Sequence, residues 1–212
     1  MESHARVRSW RGRVYSTPWW AVSVLSLLVL TPWLAAAQDR SSVSEELKAL
    51  YEADQADRQF TSPPTDEDWK AISARDSQRQ ARVYELFRGD RLSAAEDFYH
   101  AAMVLQHGDS AEDILVAHIL ATAAAFRGDE RGYWLSAASL DRYLLRTRMP
   151  QRLGTQYVKA SAEDPFDIDS SQPWSQGPYV RWLPDSIREV FGVESLSDQA
   201  QRVREMNASG IR

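Results

Sequence analysis

Cysteine is absent from all 212 residues. That removes thiol catalysis, Cys-ligated zinc, iron–sulfur clusters, lipoprotein acylation and any disulfide framework. A basic excess is also missing, since 25 Lys and Arg stand against 30 Asp and Glu for a net charge of -5, so no nucleic-acid partner is expected. Nine Gly and nine Pro with 43% hydrophobic residues exclude collagen and a wholly disordered chain. No Walker loop, Gly-x-Ser-x-Gly elbow or His-Glu-x-x-His run occurs, so no complete catalytic signature is present. Of the four histidines, His100, His107 and His118 lie within 19 residues but form no i, i+4 pair, and neither a metal site nor a cofactor is expected.

What the chain does have begins at its N-terminus. Arg6, Arg8, Arg11 and Arg13 precede an apolar run from Trp19 to Leu30, Pro32 interrupts it, and Ala35-Ala36-Ala37 follows. Charged, apolar and small residues in that order make a secretory signal. The expected organisation is a signal peptide over 1–37 and a single helical domain over 38–212, exported to the periplasm or secreted, without a membrane span after cleavage. The rival is an uncleaved N-terminal anchor over Trp19 to Ala37, a run just long enough to span a bilayer.

Along the remaining chain the spacing predicts a mainly α fold, an antiparallel bundle of helices. A capping box at Ser42-Val43-Ser44-Glu45 opens the first helix, which runs to about Phe60. Asp66-Glu67-Asp68 starts a second through Phe87, with Gly89 as its left-handed cap and Asp90 or Ser93 capping the next. Leu92 to His107, Ala111 to Arg127 and Arg131 to Arg148 follow, with Asp109 or Ser110 capping the middle one. Phe87-Arg88-Gly89-Asp90 recurs as Phe126-Arg127-Gly128-Asp129, a faint sign of repeated helix hairpins. After Pro150 two β-prone segments, Gly154–Val158 and Gly177–Trp182, are expected to pair as a small hairpin within 154–183. Asp185 then caps a short helix, Ser197 caps a last one, and the chain frays from Asn207.

Polar residues cluster at the helix ends. Asp54 and Arg58 are four apart on a face continued from Leu47 and Tyr51. Asp141 and Arg142 interrupt an apolar helix and, being adjacent, must look to different partners. Gln106-His107 and Gln151 to Gln156 lie at bends. Asp54-Gln55-x-x-Arg58, His100-Ala101-Ala102-x-x-x-Gln106-His107, Leu140-Asp141-Arg142-x-Leu144-Leu145 and Pro150-Gln151-x-x-Gly154-Thr155-Gln156 occur in this order, followed by Leu183-Pro184-Asp185 and Gly192-Val193-x-x-Leu196. Together they resemble a family of bacterial proteins known only as a domain of unknown function. The resemblance spans about Glu45 to Arg204, departing between Phe60 and Leu92 and after Lys159. It implies a largely helical domain without an established activity, and it picks out Asp54, Arg58, Gln106, His107, Asp141, Arg142, Gln151, Thr155 and Gln156.

Two uses fit these nine residues. They form a buried network that fixes how the C-terminal hairpin docks onto the helices, which is the commoner use of such groups. Or they line a cleft for a small polar ligand. The leading expectation for function is a binding or interaction module of the cell envelope, its partner a protein or a small polar ligand. The alternative is a hydrolase-type enzyme in which His107 is the general base and Asp141 orients it.

Overall fold

The computed structural model describes residues 19–209, with side chains from Gln38 onward; the basic leader with Arg6, Arg8, Arg11 and Arg13 lies outside the described residues. The chain divides into two units, Met1–Asp39 and Arg40–Arg212, and the second carries everything that follows. The fold is mainly helical: α1 Trp19–Ala56, α2 Asp66–Arg88, α3 Ala95–Leu105, α4 Ala111–Phe126, α5 Arg131–Arg146, α6 Asp185–Val190 and α7 Leu196–Ala208. Among the described residues no helix is long and apolar enough to cross a membrane.

The helix ends show what the side chains do. Helix α1 is already running before Ser42, through Pro32, so Ser42-Val43-Ser44-Glu45 is interior and opens nothing. It stops at Ala56, short of Phe60, because Arg58 turns back and donates from Nη1 to the Asp54 carbonyl at 2.9 Å. Helix α2 begins with a capping box at Thr65 and Asp68, which places Asp66 and Glu67 inside its first turn. Helix α3 is capped by Asp97, whose Oδ2 accepts from the amides of Ser93 and Ala94 at 2.9 and 2.8 Å. Ser110 and Asp113 form the capping box of α4. For α7 the cap is Ser195 and not Ser197, and the helix continues through Asn207. Asn207 does not fray because its side chain clamps the Trp174 backbone, accepting from N at 2.8 Å and donating to O at 3.0 Å.

The repeated Phe-Arg-Gly-Asp does not repeat in conformation. In the first copy Gly89 has φ -79°, and it is Asp90 that turns left-handed at φ 54°. In the second, Gly128 takes that role at φ 99°, a value that a side chain would strain.

Helices α3, α4 and α5 pack in chain order, with α2 against α3. Val43 and Leu47 of α1, Val83 and Leu86 of α2, Val104 and Leu105 of α3, Leu120 of α4 and Leu135 of α5 share one core.

The C-terminal region is a correction. Among the described residues there is no strand, and the expected hairpin is absent. Three isolated bridges replace it, and the one between Gln151 and Tyr179 is parallel, which hairpin arms cannot be. The cause is local. Side chains take the backbone groups a ladder would use, Asp141 accepting from the amide of Thr155 and Gln151 from that of Gln156.

Helices α4 and α5 come close at Gly132 in α5. A Cβ there would lie 2.5 Å from the Ala121 carbonyl oxygen and 2.6 Å from the Ala125 nitrogen, both α4 backbone. Gly132→Ala should therefore lower stability by about 2 kcal/mol in urea unfolding, overpacking outweighing alanine's better helix propensity. An unchanged or raised midpoint would contradict this packing.

Candidate functional site

The nine polar residues singled out from sequence occupy two layers. Behind lie the buried Asp54, Asp141 and Gln151 with the half-buried Thr155. In front, Arg58, Gln106, His107, Arg142 and Gln156 line one cleft of about 1000 Å³.

The first buried anchor is Asp54, fully buried in the last turn of α1. Its Oδ1 accepts from Arg58 Nη1 at 2.9 Å and pairs with His107 Nδ1 at 2.9 Å, while Oδ2 accepts from Gln55 Nε2 at 2.8 Å. Arg58 also donates from Nη2 to Asp76 Oδ2 at 2.7 Å, tying the end of α1 to α2. Asp76 accepts in turn from Arg79 at 2.5 Å, and Arg79 reaches Asp57 at 2.8 Å. Arg58 is thus neutralised by two carboxylates. Burial pushes the His107 imidazole below its ordinary pKa, an effect that the Asp54 hydrogen bond only partly offsets, and the nearby Arg58 and Arg142 push the same way. The neutral ring donates from Nδ1 to Asp54. Among the described residues its Nε2 has no partner, and it is not sealed from solvent.

The second anchor is Asp141, fully buried on α5. Its oxygens accept from the amides of Arg152 at 2.7 Å, Leu153 at 3.1 Å and Thr155 at 3.0 Å, and from the Thr155 hydroxyl at 3.0 Å. This carboxylate organises the turn after α5. It is committed to that turn, so the pairing expected with His107 is replaced by Asp54. Gln151 fastens the other end of the turn, accepting from the Gln156 amide at 2.9 Å and donating to the Gln156 carbonyl at 3.0 Å and to the Gln176 carbonyl. Farther on, Arg188, fully buried, donates to the Tyr179 hydroxyl and the carbonyls of Leu153 and Leu183, and Gln199 donates to the Leu153 carbonyl at 2.9 Å.

Arg142 joins the two halves. Its Nη1 donates to the Gln106 carbonyl at the end of α3 at 2.9 Å, and its Nε donates to Gln156 Oε1 at 3.2 Å. Gln156 is braced by donating to the Ala138 carbonyl and the Thr155 hydroxyl, each at 3.1 Å. Among the described residues no carboxylate contacts Arg142. Its charge is disfavoured by burial first, then by the neighbouring Arg58 and Arg146. Among the described residues Nη2 is left without a partner, and it is not sealed from solvent. Arg146, one turn on, also lines the cleft, and no ion pair joins it among the described residues. Arg148 is satisfied by Asp164 and Asp167, and Asp109 is the lining carboxylate that no arginine meets.

Sequence reasoning missed the remaining wall. Phe60, Trp69 and Ile72 line the cleft from the α1–α2 connection and α2, and Val158, Phe166 and Ile168 from the segment after α5. Phe60 and Trp69 meet edge to face with centroids 5.2 Å apart. Asp76 and Arg79 were missed too, although a signal was present: they are buried on the same α2 stripe as Ile72 and Val83. Charged residues at helical spacing inside an apolar stripe mark a buried ion pair. Among the described residues no three His, Asp or Glu side chains converge as a metal site requires.

Two outcomes follow. Asp141→Ala leaves three turn amides without their acceptor, and should cost about 3 kcal/mol or more in urea unfolding; a change within the error of wild type would remove Asp141 as the organiser. For His107, the folded pKa lies below the unfolded value of about 6.5, so the unfolded chain holds more protons between the two. The stability it contributes is complete above pH 6.5 and drains as pH falls through the folded midpoint. An imidazole NMR titration of His107 with its midpoint at or above 6.5 would contradict a buried neutral ring.

No family model, curated protein or solved structure matches the chain, so the resemblance carried by the Gln106-His107 and Pro150-Gln151-x-x-Gly154-Thr155-Gln156 runs assigns it to no family.

Proposed function

We propose that the chain is an exported binding module of the cell envelope whose cleft holds a small ligand. One observation carries the reading. Arg58, Gln106, His107, Arg142 and Gln156, which are far apart in sequence, line a single concave space, and Asp54, Asp141, Gln151 and Thr155 hold them there from behind. A network built only to dock the C-terminal segment has no use for the unpartnered donor on Arg142 or the open acceptor on His107. A cleft of about 1000 Å³ falls at the upper end of small-molecule sites, which run from about 300 to 1,000 Å³. Export is supported by the order of arginines, apolar run and Ala35-Ala36-Ala37 at the N-terminus.

A second reading is favoured by the Asp54–His107 pair. A carboxylate on Nδ1 and a free Nε2 is the arrangement of a general base, and Arg142 Nη2 is available to a developing oxyanion. Water would supply the nucleophile in such a hydrolase. This differs from the sequence-based version, in which Asp141 orients the base.

Native mass spectrometry of the chain recovered from the envelope of its own cells tests the first reading. It should show a polypeptide beginning at Gln38 with a non-covalent small-molecule adduct that Arg142→Gln loses. A chain that retains Met1, or that carries no adduct and instead turns over ester substrates in a manner abolished by His107→Ala, would contradict it.

A further inference from the structure

The geometry points to an anionic amphiphile as the ligand of this cleft: an oxyanion headgroup at Arg142, carried on an apolar chain or ring that lies along Phe60, Trp69 and Ile168. The inference rests on the binding reading above and names the chemistry that the site would take.

The headgroup end follows from Arg142. Its guanidinium is fixed by two acceptors on different elements, the Gln106 carbonyl and Gln156 Oε1, so its direction is set before any ligand arrives. Both acceptors are neutral. Arg58 has Asp54 and Asp76, and Arg148 has Asp164 and Asp167, but Arg142 meets no carboxylate. Its charged neighbours are the arginines Arg58 and Arg146, and Arg146 lies one helical turn away on α5, lining the same cleft without a counter-ion. A largely desolvated cation with an open N–H and, among the described residues, no carboxylate in contact is one anion short, although Asp109 lines the same cleft. Carboxylate and phosphate oxygens match a guanidinium edge best.

The apolar end follows from the wall. Trp69 is 48% exposed and Ile168 79% exposed, although both line a concavity. Phe60 stacks edge to face on Trp69 and extends that surface. Apolar side chains left uncovered inside a cleft gain by burial against a ligand, about 25 cal/mol per Å². A free oxyanion such as acetate or inorganic phosphate would leave this wall wet. A neutral apolar molecule would cover the wall and leave Arg142 further desolvated with no anion. Only a molecule with both parts satisfies both ends.

The test uses the full chain, purified without detergent, titrated below micellar concentration with decanoate, decyl phosphate, decanol, acetate and inorganic phosphate. Calorimetry gives the affinities, and the part of the tryptophan fluorescence change that Trp69→Ala removes reports Trp69. Decanoate or decyl phosphate should saturate at least tenfold more tightly than decanol, and the tighter of the two identifies the headgroup. Acetate and inorganic phosphate should not saturate. Arg142→Gln should bring the anionic amphiphile down to the affinity of decanol without changing decanol itself, and Trp69→Ala should weaken both. Should Arg142→Gln fail to fold, Arg146→Glu is the substitute: an exposed change that should weaken the anionic amphiphile several-fold and spare decanol. Equal affinity for decanoate and decanol, saturation by inorganic phosphate as tight as by decyl phosphate, or indifference to both arginine variants would overturn the inference while leaving a binding cleft standing. If no probe binds, and native mass spectrometry likewise finds no adduct, the binding reading falls with it.

Discussion

A single buried carboxylate, Asp141, sets the geometry on which the site depends. Fully enclosed, its two oxygens need donors, and these are the backbone amides of the chain just after α5. Gathering the amides of Arg152, Leu153 and Thr155 forces that segment into a tight turn over the helix. The turn places Gln156 beside Ala138, where its side chain can reach Arg142. Arg142 in turn fastens onto the Gln106 carbonyl at the end of α3. The cleft is thus the outer surface of a chain of polar contacts that begins in the core. The same turn exposes the Leu153 carbonyl to Arg188, Tyr179 and Gln199, which anchor the remainder of the C-terminal region. A region with no strands and two short helices after α5 gains its definition from such contacts.

The arginines facing the cleft differ in their electrostatic condition. Arg58 is shared between Asp54 and Asp76 and serves to bind α1 to α2. Arg142 is held by neutral oxygens and keeps its charge unmet. This difference separates structural from functional use within one polar cluster. The network reading and the cleft reading describe the back and the front of the same assembly: Asp54, Asp141, Gln151 and Thr155 keep the shape, and Arg142, His107 and Gln156 present groups to the interior of the cleft.

Helices, and the polar residues at their ends, were legible because both obey local rules. The Ser110 cap, the acidic start of α2 and the stop near Gly128 all follow from side chains within four residues of a backbone group. The division of labour among the nine polar residues was not legible, because it depends on which partner each meets across the fold. Adjacent Asp141 and Arg142 were expected to face different partners, and they do, but sequence gave no means to choose Asp54 over Asp141 as the partner of His107. The hairpin failed for a related reason. Gly154–Val158 and Gly177–Trp182 have β-prone composition, yet the amide of Thr155 and the amide and carbonyl of Gln156 are taken by the side chains of Asp141 and Gln151, contacts that no propensity encodes. Asp76 and Arg79 could have been found, since a charged pair interrupts an otherwise apolar stripe of α2.

The central claim is that Arg142 presents an unmet positive charge to a ligand, whereas Arg58 does not. Its guanidinium N–H groups can be followed directly by proton–nitrogen NMR of the arginine side chains during a decanoate titration. The account predicts a saturable shift of the Arg142 Nε–H resonance with that of Arg58 stationary. A stationary Arg142 resonance while the amphiphile binds, or a shift confined to Arg58, would contradict it.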